Sequence, residues 1–362
     1  MQRVAVIGGG QLGRMLGSAG RQLGVELLFL DPSADAPAAS EGRIIARAFD
    51  DPQGLAELAA NADVITYEFE NVPLAALRSI PRRLPVLPPP DALRMAQDRW
   101  LEKRLFEALD IPVARYRRVD AREELRAAAS ALGYPFVVKT RSLGYDGKGQ
   151  ILVDAPDGVD AAWDALGGRS LIAEQWVRFE REVSIIGVRR AGGELRVYPL
   201  TENRHEGGIL RLSRAPMQAP LLEAAACGYI GRLLTRLDYV GVLALELFVS
   251  GDRLVANEFA PRVHNSGHWT IEGAATSQFR NHLLAILDRP LGATNALAHA
   301  AMINLIGTLP DAQSLPAGVP HFLHDYGKAP RPGRKLGHIT VLAPDEETLS
   351  ARLRALQACV PA

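Results

Sequence analysis

Two carboxylates in apolar surroundings are the residues of this sequence that most need a chemical explanation. Glu246 lies inside Leu243-Ala244-Leu245-Glu246-Leu247-Phe248-Val249, and Glu258 ends Leu254-Val255-Ala256-Asn257-Glu258, with Ser250-Gly251-Asp252 turning between them. A carboxylate in so apolar a strand is costly unless it is paired or bound to a cation. Two such groups beside Asn257 offer hard oxygen donors, suited to Mg2+ bridged to phosphates. The same pattern also fits a buried ion pair with an arginine. Because side chains alternate along a strand, a turn leaving an odd number of residues unpaired would put both acids on one face, and a two-residue turn would separate them.

A second segment, Lys139-Thr140-Arg141-Ser142-Leu143-Gly144-Tyr145-Asp146-Gly147-Lys148-Gly149-Gln150, joins two predicted strands. Glycines let backbone N–H groups close over phosphate oxygens, and lysines neutralise their charge. Lys148 is followed by Gly149 rather than Ser or Thr, so this is no Walker A loop, and a solvated hairpin tip is the plainer alternative. Directly after Glu258 comes Pro261-Arg262-Val263-His264-Asn265-Ser266-Gly267-His268-Trp269, a polar loop able to hold an anion through Arg262 and Ser266. His264 and His268 have the spacing of a helical zinc site, but Ser266-Gly267 argues against a helix there.

The third signal is at the start. Gly8-x-Gly10-x-x-Gly13 follows a strand, and Asp31 ends the next one, which is the dinucleotide fingerprint with its ribose-binding acid. A helix amino end also holds other phosphates, and any tight strand-to-helix turn favours glycine, so dinucleotide, other phosphate and plain structure stay open.

These residues must be positioned by several elements. Val4–Ile7, a helix to about Leu23 and Val25–Leu30 open a parallel sheet. A helix over Pro52–Ala60 and a strand over Asp63–Thr66 continue it, delivering Tyr67-Glu68-Phe69-Glu70-Asn71 to its carboxyl edge, and prolines 85, 88, 89 and 90 end the unit. One charged helical stretch is read from Asp91 to about Leu109. Strands then dominate, with helices over Arg122–Leu132 and Pro220–Leu237, giving an α+β unit to about Asp288. Strands at Ala301–Ile306, His321–Asp325 and His338–Leu342, with a helix from Asp345, read as a small C-terminal cap.

The 362 residues allow two or three domains. Lys+Arg and Asp+Glu both number 41, so no global field draws the chain to nucleic acid or an anionic membrane, and any phosphate must be held locally. With 48% hydrophobic and 23% charged residues the composition is that of a soluble globular protein. Cys227 and Cys359 fit no metal or redox spacing and read as reduced thiols. Met1–Ile7 run straight into the glycine loop with no secretory pattern, so a cytoplasmic location is expected.

The order of these features resembles the ATP-grasp superfamily and, within it, the 5-(carboxyamino)imidazole ribonucleotide synthetases, over nearly the whole chain. The most specific segments are Gly8–Met15, Tyr67–Pro73, Gly144–Gln150, Thr201–Leu210 and Ala260–Trp269. The resemblance implies a Rossmann-like domain over 1–97, an ATP-grasp domain over 98–290 and a small C-terminal domain over 291–362. It implies that ATP phosphorylates bicarbonate to carboxyphosphate, whose carboxyl group passes to the exocyclic amine of aminoimidazole ribonucleotide, and it carries the expectation of a homodimer.

By the same resemblance, Arg99 and Lys139 would contact ATP, with Gly144, Tyr145, Asp146, Gly147, Lys148, Gly149 and Gln150 folding over its phosphates. Glu174, Gln175, Trp176 and Val177 would line the adenine, and Glu182 would hold the ribose with His205 nearby. Glu246 and Glu258 would carry Mg2+, with Asn257 on the phosphates. Gln11, Leu12 and Glu68 would face the ribonucleotide, and Lys328, Arg334 and Lys335 would clamp its 5′-phosphate. Arg262 would steady carboxyphosphate, Asn265 and Ser266 would line the same pocket, and Asp146 would orient the amine or bicarbonate. Leu143 stands where the family loop usually carries another glycine, which bears on lid closure. A nicotinamide-dependent dehydrogenase matches the first thirty-one residues alone, and formate-dependent glycinamide ribonucleotide transformylase is the nearest alternative among sister enzymes.

Overall fold

The computed structural model describes residues 2–144 and 148–360. Tyr145, Asp146 and Gly147, all expected over the phosphates, lie outside the described residues. The chain begins with β1 (Arg3–Ile7), α1 (Gln11–Gln22), β2 (Glu26–Asp31), β3 (Arg43–Ala46), α2 (Pro52–Ala60), β4 (Val64–Tyr67) and α3 (Leu74–Ser79). The four strands form a parallel sheet in the order β3-β2-β1-β4. Val4–Ile7 are fully buried, as strands covered on both faces must be. Asp51 starts α2 by accepting from Gly54 N at 2.6 Å, with Pro52 in the first turn, where its missing N–H costs nothing.

The expected single helix from Asp91 is two helices, α4 (Pro90–Ala96) and α5 (Arg99–Ala108). Asp98 interrupts it, because its carboxylate caps a new amino end through Trp100 N at 2.9 Å. A second, four-stranded sheet follows in the order β5-β8-β6-β7. It comprises β5 (Tyr116–Val119), β6 (Phe136–Thr140), β7 (Gln150–Val153) and β8 (Leu171–Gln175), covered by α6 (Arg122–Leu132) and α7 (Gly158–Leu166) around one apolar cluster.

The third sheet has nine strands: β9 (Arg181–Arg189), β10 (Leu195–Val197), β11 (Thr201–Glu206), β12 (Ile209–Ala215), β13 (Gly241–Ser250), β14 (Arg253–Ala260), β15 (His299–Ile306), β16 (His321–Asp325) and β17 (Lys335–Ala343). Its order is β14-β13-β9-β11-β12-β15-β17-β16, with β10 paired to β9. Helices α8 (Pro220–Arg236), α9 (Thr270–Gly273), α10 (Gln278–Ile286) and α11 (Glu346–Gln357) complete the chain. Strands β15 and β17 continue the sheet begun by β9 to β14 through β12. Among the described residues no helix is long and apolar enough to cross a membrane, and Cys227 and Cys359 are unpaired.

Candidate active site

One cleft of about 1200 Å3 opens where the β13–β14 hairpin, the β5–β8 sheet and the carboxyl ends of β1 and β4 meet. Glu246, Asn257 and Glu258 line its hairpin wall, with Arg99 from α5 and Glu182 and His205 from β9 and β11. Lys139, Gly144, Lys148, Gln150 and the stretch Glu174 to Val177 line the wall made by β6 to β8. Gln11, Leu12, Glu68, Arg262, Asn265 and Lys335 line the remaining side.

The hairpin answers the parity question in an unexpected way. Ser250 pairs with Arg253, so the turn is the two-residue Gly251-Asp252 that should separate the acids. The register then slips, Leu247 pairing with Ala256 but Glu246 with Glu258. Asn257 is the extra residue of a β-bulge, and it restores the alignment. Two α5 side chains hold this bulge. Lys103 Nζ donates to the carbonyls of Asn257 at 2.8 Å and Ala256 at 3.3 Å, and Glu102 accepts from Phe259 N at 2.7 Å. Both are 1% exposed, so the bulge is fixed by groups that have no water to turn to.

Several charges in the cleft are paired. Glu258 accepts from Arg99 Nη1 at 2.7 Å, and Glu246 lies 2.9 Å from His264 Nε2. One Glu174 oxygen receives both Lys103 Nζ at 3.3 Å and Lys139 Nζ at 3.2 Å. Burial pushes the Glu174 carboxyl up, but Lys103, Lys139 and Arg99 outweigh it and hold the group down at about 2. Burial lowers the Lys139 ammonium, against the pull of Glu174. Burial likewise opposes ionisation of Glu246, and His264, His205 and Arg262 override it, so its carboxyl sits well below the usual range. His205 Nδ1 is 2.6 Å from Glu182.

Three backbone N–H groups of the glycine turn are taken by the protein's own carboxylates. Glu68 accepts from Gly10 N at 2.6 Å and Gly13 N at 2.5 Å, and Asp31 from Gly9 N at 2.8 Å. A Cβ on Gly8, whose φ is +109°, would come within 2.3 Å of Glu68 Cγ. The glycines therefore admit the protein's own carboxylate at the α1 amino end, where a dinucleotide would need its pyrophosphate.

Three family models match this arrangement in order: the ribonucleotide synthetase preATP-grasp domain over residues 1–97, the ATP-grasp domain over 104–279, and the phosphoribosylaminoimidazole carboxylase C-terminal domain over 300–352. The N5-carboxyaminoimidazole ribonucleotide synthase of Pseudomonas aeruginosa is 49% identical, the match covering 99% of this chain and 100% of that one. The chain belongs to this family.

Solved structures of the family agree. The N5-carboxyaminoimidazole ribonucleotide synthetase of Thermus thermophilus superposes with a TM-score of 0.95 at 48% identity, covering 99% of each chain. The Aspergillus clavatus enzyme in complex with ADP and 5-aminoimidazole ribonucleotide does so with a TM-score of 0.92 at 32% identity, covering 99% of this chain and 98% of that one. The dehydrogenase alternative falls with the glycine turn, and the fold is that of an ATP-grasp ligase with its preATP-grasp and C-terminal domains.

In this member of the family, four of the expected residues among those described do not line the cleft: Gly149, Ser266, Lys328 and Arg334. Ser266 is fully buried behind the wall, bonded to Ser184 Oγ at 2.7 Å and His264 Nδ1 at 2.8 Å. Arg334 does not line the cleft and donates to the Ala329 carbonyl at 3.1 Å. Lys328 reaches the site indirectly, through its hydrogen bond to Gln11. Asn265 faces the cleft with neither amide atom partnered, although both are buried. Sequence reasoning passed over Glu70, which binds Arg262 Nε, and the buried pair Glu102 and Lys103. Glu70 stood in the quoted sheet-edge segment, whereas the α5 pair had the look of a solvated helix face. His264 and His268 form no zinc site: among the described residues no three His, Cys, Asp or Glu side chains are grouped to hold a metal.

Proposed function

We propose that this chain uses ATP to carboxylate the exocyclic amine of aminoimidazole ribonucleotide with bicarbonate. A bicarbonate oxygen attacks the γ-phosphorus, ADP leaves, and carboxyphosphate forms; the amine nitrogen then takes the carboxyl group, phosphate leaves, and the amine proton passes to it. The observation that carries the reading is the alignment of Glu246 and Glu258 on one cleft wall, with Lys139, Arg99 and Arg262 around the same space. Such a transfer needs positioning and charge neutralisation more than a nucleophilic side chain.

In this reading Arg99, Lys139 and the segment 144–150 attend the ATP phosphates, Glu174 to Val177 the adenine, and Glu182 with His205 the ribose. Gln11, Leu12, Glu68, Lys328 and Lys335 attend the ribonucleotide, with Arg262 and Asn265 toward the carboxyl group in transfer. The donors Glu246, Glu258 and Asn257 fit Mg2+, a hard cation that accepts one or two carboxylates and completes its shell with water and phosphate oxygens. Mg2+ there would neutralise charge on the phosphates.

The test is ADP release with ATP, Mg2+ and bicarbonate, with and without aminoimidazole ribonucleotide. Release that depends on this ribonucleotide and consumes bicarbonate supports the reading. Release stimulated by glycinamide ribonucleotide and formate instead overturns it in favour of the sister transformylase.

A further inference from the structure

His264 is held on every side. Its backbone N–H donates to Gln278 Oε1 at 2.9 Å, and its carbonyl accepts from Gln278 Nε2 at 2.6 Å. Its ring meets the cleft on one edge, where Nε2 lies 2.9 Å from Glu246 Oε1. On the other edge Nδ1 meets a line of buried polar side chains. Ser266 Oγ is 2.8 Å from Nδ1, Ser184 Oγ is 2.7 Å from Ser266 Oγ, Asn203 Nδ2 is 2.9 Å from Ser184 Oγ, and Ser213 Oγ is 2.7 Å from Asn203 Oδ1. Ser184, Ser213 and Ser266 are fully buried and Asn203 is 6% exposed. Three adjacent strands bring them together: Asn203 of β11 pairs with Ser213 of β12, and Ser184 of β9 with Thr201 of β11.

Hydroxyls can donate either way along such a line, so its direction needs a fixed end. The Ser266 backbone N–H supplies one, since it can only donate, and it points at His264 Nδ1 at 3.3 Å. The Glu246 carboxylate supplies the other, since an ionised carboxylate can only accept. Both require Nδ1 to be an acceptor and Nε2 to carry the proton. The direction of every bond follows: Ser213 donates to Asn203, Asn203 to Ser184, Ser184 to Ser266, Ser266 to Nδ1, and Nε2–H to Glu246.

We propose that Ser213, Asn203, Ser184 and Ser266 are positioning residues that lock His264 in its Nε2–H tautomer and so fix the carboxylate of Glu246 in the cleft. The catalytic consequence rests on the function proposed above; the tautomer does not. The line has the form of an outer shell that sets a ring's tautomer and the basicity of the group it serves, and losing such a partner typically costs about 10- to 100-fold in activity.

The experiment labels the histidines with 15N, assigns His264 by its loss in His264→Gln, and reads its ring nitrogens in long-range proton–nitrogen spectra. The wild type is expected to show Nε2 protonated and Nδ1 bare. Ser184→Ala cuts the line, and its His264 pattern is expected to mix both tautomers. Its kcat should fall by about tenfold or more with the KM for ATP little changed. Ser184→Thr, which returns the hydroxyl, should restore both readings. Asn203→Asp tests the direction itself: an acceptor-only side chain forces Ser184 to donate backwards, and kcat should fall even though the shape is kept. A wild-type spectrum with Nδ1 protonated overturns the proposal, as does Ser184→Ala with unchanged spectrum and turnover. If the wild type fails to carboxylate the ribonucleotide, the proposed function fails while the spectra still decide the tautomer.

Discussion

Glu246 and Glu258 face each other across the β13–β14 hairpin only because Asn257 bulges out of register between Ala256 and Glu258. A regular ladder from the Gly251-Asp252 turn would set Glu246 opposite Asn257 and send Glu258 to the other face. The bulge places both acids and the amide on the cleft wall, and Glu102 and Lys103 on α5 keep it there.

Replacing Glu258 by glutamine keeps the shape and removes the charge. Glu258→Gln is expected to lower turnover by at least about 100-fold, the scale of losing a charged contact to the transferring group, while the far-ultraviolet circular dichroism stays that of the wild type. The check is a Mg2+ titration of ADP release. Wild-type turnover with unaltered Mg2+ dependence would remove the carboxylate from the cation site.

Lys103→Met tests what holds the bulge. The substitution keeps the aliphatic stem but leaves the carbonyls of Ala256 and Asn257 without their donor and Glu174 with Lys139 as its remaining lysine partner. Breaking one member of a buried charged group costs about 3–5 kcal/mol, so a marked fall in the urea midpoint is expected, with weaker ATP binding alongside. Unchanged stability would mean that the bulge holds itself.

Much of this was legible beforehand, for physical reasons that differ by residue. Strand alternation and punctuation by glycine and proline placed Val4–Ile7, Pro52–Ala60 and both acids of the hairpin. Burial was harder to read. Glu102 stands three and four residues before Leu105 and Phe106, and Lys103 three before Phe106, on the buried face of α5, but ionisable residues in a charged helix read as solvated, and only the packing of α5 on β14 gives them their partners. Ser184, Asn203 and Ser213 come one from each of three strands that carry other polar residues too, and only the pairing of β9, β11 and β12 brings them together. That pairing did leave a trace, since Gly207-Gly208, both with positive φ, make the two-residue turn joining β11 to β12. Ser266 was expected on the cleft because its neighbours are, but the short 3-10 turn Asn265–Gly267 turns Asn265 to the cleft and Ser266 to the interior.

Lys328 should report ribonucleotide binding as a proton. Burial pushes its ammonium down to about 8, Glu68 pulling the other way and Arg334 and Lys335 adding to the fall. A phosphate beside it favours the charged form, so binding near pH 8 should take up about half a proton. Calorimetry in two buffers of different ionisation enthalpy reads this directly, and Lys328→Met should abolish the difference while raising KM for the ribonucleotide. Equal heats in both buffers for the wild type would place the phosphate elsewhere.

Acid should destabilise the fold through three histidines that are buried without charge. His282 is lowered to about 3 by burial, its Nδ1 accepting from Val242 N at 3.1 Å and its Nε2 lying 2.9 Å from Thr66 Oγ1. His268 and His338 are fully enclosed and held well below the ordinary range, first by burial and then by neighbouring histidines, with Lys335 and Arg262 also acting on His268. For each, the unfolded chain binds a proton below about pH 6.5 that the folded chain does not, so stability is intact above that pH and falls as pH drops below it. At pH 5 His282 alone costs about 2 kcal/mol, and His268 and His338 act in the same direction. Glu102 opposes them: burial raises its carboxyl to about 8, so the folded state gains stability between there and pH 4.5 as acid is added. Glu68, raised by burial, and His205, raised against burial by Glu182 and Glu246, oppose the three histidines in the same way, so the effect is read by difference: in His282→Gln the urea midpoint should fall less between pH 7.5 and pH 5 than in the wild type. An equal fall in both proteins would mean that His282 is protonated inside the fold.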